Sequence, residues 1–338
     1  MRSSIVVITA AIILSSCGGG IKNGNAAFRS EKKISVSQIG EPLVVGVPVD
    51  LLVGDKYLYV LAYTSYNWLH VYDKSTGDMV SEAVIVGRGP GEGMNIVSMD
   101  YRYDEHNLYL FDLVLRKTIV YHLDEDAGTV SFVREIHHPA DGVIRKCHIM
   151  PDGLYLYEGY LSGYGKETRY TLYDGEKVLD SYAVYPGVDN ENDQTAFLLG
   201  VSKGDASKGR FVAGTTFGAV LECFDVSDGQ IKPRVTRMFE LPKLEHSGGV
   251  IKMTEGGKYG FSTLCLTDRL IYANYLNSAD SNVFNKLVTF DWHGREQTMY
   301  IMDKNILRFC PEEKQDGVFY GIASSPEMEF SLVRFRLD

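Results

Sequence analysis

A two-part unit recurs six times past residue 40, and no other feature of the chain limits its fold so tightly. The first part is a strand entered through a tight turn: GDKYLYVLAY from Gly54, DEHNLYLFD from Asp104, MPDGLYLYE from Met150, SKGRFVAG from Ser207, LTDRLIYANY from Leu266 and QDGVFYGIA from Gln315. The second follows each: LHVYDKSTGD from Leu69, TIVYHLDEDAG from Thr118, YTLYDGEK from Tyr170, LECFDVSDGQ from Leu221, LVTFDWHGRE from Leu287 and LVRFRLD from Leu332. Successive units step by about 46 to 60 residues, in or near the range of propeller blades. Short alternating or aromatic-rich runs bounded by turn residues, with no sustained period near 3.6, read as strands. The expected fold class is therefore all-β, a six-bladed β-propeller over 34–338. Each blade adds an inner strand before the unit and an outer strand after it. Sheets of this kind are apolar on both faces and are covered only when stacked radially. The sixth blade stops at its third strand, Phe335 to Asp338, so the β-run around Ile34 to Ile39 is expected to supply its outer strand and close the ring.

The N-terminus carries an address. MRSSIVVITAAIILSSC has one basic residue, Arg2, then an apolar run from Ile5 to Leu14 that is too short to span a bilayer, which is a signal-peptide pattern over 1–16. Leu14-Ser15-Ser16-Cys17 resembles the lipobox of bacterial lipoproteins, which implies lipidation of Cys17 and acylation of its freed amine. Several acyl chains, palmitate among them, at about 0.8 kcal/mol per buried methylene, anchor a protein without a span. Residues 17–33, opening GGGIKNGN after the cysteine, read as a lipidated flexible tether. Gly18 rather than an acid follows Cys17, and the sorting rules of the lipoproteins it resembles then imply the outer membrane, facing the periplasm or the exterior. A formal net charge of −10 disfavours nucleic acid as a partner.

The stretch VGRGPGEGMN, Val86 to Asn95, raises the question of a phosphate loop. Such loops open a helix, whereas MNIVSMDYR after this one reads as the inner strand of blade two, and no Lys-Ser/Thr follows. The glycines instead suit a chain crossing from the outer edge of one blade to the inner edge of the next. Two roles are open for Arg88 and Glu92: a clamp that pins the crossing, or side chains presented on a ligand face beside the central channel. Loops on the same face add Tyr66, Trp68, Tyr164 and Phe217, which could stack on sugars or hold a peptide, and Arg116, Lys117 and Lys166, which could meet acids. For Trp68 and Phe217, inward packing between blades is the competing reading.

G-R-G-P-G-E running into a strand, with the lipobox and the sixfold unit, resembles the TolB-like six-bladed propeller lipoproteins of the Bacteroidetes type, over essentially the whole chain. An aromatic commonly follows the glutamate in that family; Gly93 stands there here. The resemblance implies an architecture and no settled activity.

Catalytic sets are not recognisable. There is no G-x-S-x-G, no H-E-x-x-H and no C-x-x-C, and neither a cofactor nor a metal is expected. DNEND, Asp189 to Asp193, lacks the Gly and Glu of an EF-hand and reads as a solvated loop. His137 and His138 point to opposite faces of a strand and read as surface or turn histidines. Pro151-Asp152-Gly153 is a turn. Cys147, Cys223, Cys265 and Cys310 allow three pairings. The leading expectation is an outer-membrane-anchored, non-enzymatic binding module for an envelope protein, peptide or glycan. The alternative is a metal-assisted carbohydrate lactonase or lyase, which needs carboxylates converging on the channel from several blades.

Overall fold

The computed structural model describes residues 20–23, 28–248 and 250–337. The signal segment and residues 17–19 and 24–27 of the expected tether, Cys17 among them, lie outside that range. Six sheets, each built on four antiparallel strands and two of them extended by a fifth, follow one another along the described chain. Their innermost strands, Pro48–Val53, Ile96–Arg102, Gly142–Ile149, Val201–Asp205, Tyr259–Leu266 and Asn305–Pro311, touch in that order and then return to the first. The ring is a six-bladed propeller.

The alternation of each second strand explains why the blades stack. In Tyr57–Ala62 of blade one, Tyr59 and Leu61 join a core with Leu108, Leu110 and Ile119 of blade two. Leu58, Val60 and Ala62 join the opposite core with Ile322 and Leu332 of blade six. One strand therefore feeds two inter-blade cores, and neither face can be left bare.

Blade six is completed as expected by an N-terminal strand. Ser37–Leu43 runs antiparallel to Phe330–Arg336, with Leu332 opposite Ile39 and Phe330 opposite Leu43. It begins after Ile34 because buried Val36 donates its amide to Asp303 Oδ1 (3.0 Å) while Asp303 donates its own to the Ile34 carbonyl (3.2 Å). Ser30–Ile34 pairs in parallel with the outer strand of blade five, and Gly20–Asn23 does the same on blade four. The part of the 17–33 segment nearest the body is thus strand, because an outer edge offers unpaired amides and carbonyls to any chain that passes.

Two insertions rise from the crossing face. Asp189 to Asp193, expected as a solvated loop, starts a helix, Glu191–Leu198: the Asn190 side chain accepts from the Asp193 amide (2.9 Å), and Asp193 Oδ1 accepts from the Leu244 amide (2.7 Å). That second bond joins the helix to a hairpin, Leu244–Ser247 with Val250–Met253, in the next crossing. Pro151–Gly153 is a tight turn, with Asp152 at φ 59°. His138 departs from the surface expectation. It is buried with Tyr157 OH 3.0 Å from Nδ1 and Thr118 Oγ1 2.7 Å from Nε2, and burial pushes its pKa down to about 4. His137, beside it, is exposed. Among the described residues no helix is long and apolar enough to cross a membrane.

Candidate functional site

The glycine-rich crossing folds back on itself. Gly93 donates its amide to the Ile85 carbonyl (3.0 Å) and Gly87 to that of Gly93 (3.1 Å), so the chain makes a closed loop before entering blade two. Glu92 turns inward, and its carboxylate accepts from the Gly89 amide (2.7 Å). A Cβ on Gly87 would collide with that carboxylate, and one on Gly89 would stand 2.9 Å from its Cδ. Gly91 holds φ 75°. These positions need glycine because the glutamate lies over them and one turn is left-handed.

Neighbouring side chains then take up the loop's polar backbone. Trp68 Nε1 donates to the Gly93 carbonyl (2.9 Å), Tyr121 OH to that of Gly91 (2.7 Å) and Lys117 Nζ to that of Gly89 (3.2 Å). Glu135 accepts from the Gly91 amide (2.8 Å) and pairs with Lys117 (2.5 Å). Fully buried Asp112 accepts from four amides, those of Met94, Asn95, Val114 and Leu115.

Of the residues placed on a ligand face by sequence, Glu92 is therefore the clamp, but without Arg88. Arg88 is exposed, with no hydrogen-bond or ion-pair partner among the described residues. Trp68 is buried rather than presented, its ring edge-on to Tyr63 at 5.1 Å, because its indole N–H is spent on the crossing. Lys117 is buried in the same anchor. Arg116 pins the next crossing by donating to the carbonyls of Ala140 and Gly142. Phe217 packs on Tyr259 at 5.4 Å. Tyr66 and Tyr164 remain exposed on the crossing face, in blades one and three.

The central channel is crossed by charge. Lys203 of blade four reaches Asp50 of blade one, on the opposite side of the ring (3.0 Å), and donates also to the Met99 carbonyl of blade two (3.1 Å). Arg308 of blade six donates to the Val49 carbonyl of blade one (2.6 Å) and to Thr263 Oγ1 of blade five (3.2 Å). His148 of blade three has Asp100 of blade two 3.5 Å from Nδ1 and Glu158 3.0 Å from Nε2. Glu158 in turn accepts from Ser202 of blade four and has Lys146 at 3.9 Å. Asp50, Asp100 and Glu158 are the converging carboxylates that channel catalysis would need, yet each is held by a cation of the chain itself. Among the described residues no group of three or more His, Cys, Asp or Glu is placed to hold a metal ion. The arrangement is a set of cross-blade ties.

These ties make stability depend on pH. Burial alone would lower the His148 pKa, but Asp100 and Glu158 outweigh it and raise it to about 9. Burial would likewise raise Glu158, but Lys146 and His148 hold it at about 2. The His148 contribution is fully present below its ordinary value of 6.5 and is lost as pH rises through about 9. Glu158 contributes above its ordinary 4.5 and loses that contribution as pH falls toward 2. Urea unfolding midpoints should fall between pH 6.5 and 9.5, and His148→Gln should flatten that fall; an unchanged slope in the variant would remove the assignment.

The exposed apolar side chains are not spread evenly. Of eighteen large hydrophobic residues that stay exposed among the described residues, thirteen lie on the face of the crossings and of the loops between second and third strands, or at the strand ends that border it. The densest part spans the junction of blades six and one. There Val44 and Val47 flank Gly46, whose amide bonds the Tyr63 carbonyl (2.9 Å), and the Val86 amide, next to Ile85, bonds that of Tyr66 (2.8 Å). Val44 is 93% exposed and Tyr66 78%, so neither is covered by the other described residues.

Comparison with known proteins agrees with this architecture. A protein of Bacteroides fragilis NCTC 9343, described as a "putative exported protein", is similar in structure, with a TM-score of 0.58 at 14% identity over 94% of this chain and 100% of that one. A member of the DUF4221 family from Bacteroides vulgatus superposes with a TM-score of 0.50 at 10% identity, covering 90% of this chain and 98% of that one. No curated protein is matched by the sequence. The model of the family described as TolB-like 6-blade propeller-like matches residues 27–314, and with six blades closed in one ring, the chain belongs to that family.

Proposed function

We propose that the protein is an exported, envelope-anchored binding module that takes a protein partner on the crossing face. The supporting observation is the apolar patch at the junction of blades six and one. Around the exposed rings of Tyr63 and Tyr66 the patch is mainly aliphatic, while Trp68 is buried and Phe217 is packed on Tyr259, a composition that suits a protein surface better than a sugar. Aliphatic patches rimmed by polar loops mark protein-binding surfaces. The raised helix and hairpin over the opposite blades give the face relief against which a partner could register. Export is supported by the signal pattern at 1–16 and by the description of the similar Bacteroides fragilis protein. Anchoring at the outer membrane through Cys17 rests on the lipobox resemblance.

Two variants test the two halves. Cys17→Ser should move the protein from the membrane to the soluble fraction; retention in the membrane would end the anchor reading. Val44→Asp with Tyr66→Asp should weaken capture of any envelope partner held by the full chain at least tenfold, as desolvated contacts of about 1–2 kcal/mol each are lost, with the melting temperature unchanged. A partner bound equally well by this variant would place the interface elsewhere.

A further inference from the structure

The four cysteines of the propeller are not equivalent, and two of them meet. The innermost strands of blades five and six, Tyr259–Leu266 and Asn305–Pro311, are neighbours on the channel wall. Cys265 and Cys310 stand on the same rung of these strands, each opposite the tyrosine of its own second strand, Tyr272 and Tyr320. Cys265 belongs to an apolar cluster between the two blades and Cys310 packs against that same cluster, its thiol donating to the Pro311 carbonyl (3.7 Å). The same rung carries Asp100 in blade two, His148 in blade three and Lys203 in blade four, whereas Cys147, opposite Tyr157, points into the core shared with blade two. Cys223 lies on the third strand of blade four, between Val212 and Val235. Of the three pairings open in sequence, only the one containing Cys265–Cys310 joins two cysteines packed on one core, since Cys147 and Cys223 each sit in a different one.

We propose that Cys265 and Cys310 are joined as a disulfide that clips blade five to blade six. Blade six is assembled from both ends of the chain, and its ties to blade five on this wall are hydrogen bonds, such as Thr263 Oγ1 to the Leu307 carbonyl (2.9 Å) and Asn274 Nδ2 to the Ile306 carbonyl (2.6 Å). A covalent link would hold this seam even when the N-terminal strand lifts off. The oxidant is a disulfide, carried by a protein or a small molecule. One cysteine thiolate attacks a sulfur of that donor and expels a donor thiolate, giving a mixed disulfide. The second cysteine then attacks the first and releases the other donor sulfur as thiol. Each cysteine gives up one electron and one proton, and the donor disulfide is reduced to two thiols. Cys310, half-buried, is the sulfur that a donor can reach; the neighbouring Cys310 thiol and burial push the Cys265 pKa up and keep it a thiol in the closed ring. The first attack therefore belongs to Cys310 or to a stage before the ring closes.

The clip rests on the export reading only for its oxidant in the cell, and the test separates the two. Full-length protein taken from the envelope is unfolded in iodoacetamide without reductant and mapped by peptide mass. The expected result is one linked peptide pair joining Cys265 to Cys310, with Cys147 and Cys223 alkylated. A reductant should lower the melting temperature by about 5–10 °C. Cys310→Ser should abolish that dependence, and Cys147→Ser should keep it. Free thiols that link only after treatment with oxidised glutathione would support the clip and count against an oxidising address. Alkylation at both cysteines even after that treatment, or a link to Cys147 or Cys223, overturns the proposal. The mapping uses the unmutated chain, so it stands even if Cys310→Ser does not fold.

Discussion

Arg169→Met is expected to cost about 3–5 kcal/mol in urea unfolding at neutral pH, one of the two largest single-residue effects in this protein. Arg169 is 1% exposed and grips Glu222 of blade four with both terminal nitrogens, at 3.2 and 2.5 Å. It also donates to the Val184 carbonyl (2.5 Å) and to Tyr170 OH (3.0 Å). Rings of Tyr170 and Phe197 lie 4.9 and 4.6 Å from the guanidinium carbon, so the cation is boxed between blade three and the helix of the following crossing. Removing it strands a carboxylate that is 2% exposed. The double variant Arg169→Met with Glu222→Leu should regain most of the loss, since an apolar pair of similar volume needs no solvation. A single variant costing under about 1 kcal/mol would show that solvent reaches Glu222 after all.

Asp112→Ala should be comparably damaging, at about 4 kcal/mol or more, because four amides lose their acceptor together and each orphaned donor costs roughly 1–3 kcal/mol before water relieves any of them. Asp112→Asn should recover less than half. Its amide nitrogen would face two donors with a donor of its own, whichever way the group is turned. Calorimetry gives the magnitude, and hydrogen exchange should show the amides of Met94 and Asn95 opening ahead of the rest. Arg88→Ala, on the exposed side of the same loop, should stay within about 0.5 kcal/mol. Equal effects at positions 88 and 112 would contradict the anchoring described here.

What could be read in advance followed from repetition. The second and third strands say the same thing six times, so the blade number and the missing outer strand were legible. A clamp of Arg88 and Glu92 was one of two readings open in sequence, and only its Glu92 half is met, since glycines on either side leave room for that side chain to lie over the backbone. The innermost strands do not repeat: PVDLLV, IVSMDYR and NILRFCP share only an extended form. Their charged residues therefore looked like isolated substitutions, and the Lys203–Asp50 tie depends on two positions brought together across a ring. A lysine or aspartate inside an otherwise apolar strand was the available signal. The short helix was hidden because oxygen-rich DNEND was weighed for cations, while Asn190 followed three residues later by Asp193 has the spacing of a helix cap. His138 misled for a similar reason: alternation tells which face a residue takes, but not whether the neighbouring blade covers that face.

Ring closure carries a consequence for biogenesis. Ser37 finds its mate in Arg334, almost three hundred residues further on, so the first strand of the ring to be made is among the last to be satisfied. Throughout synthesis and transit it remains a sticky ribbon with nothing to hold, and the sheet that will receive it does not yet exist. Such a chain matures slowly, and until its tail arrives it depends on whatever keeps newly delivered polypeptides apart.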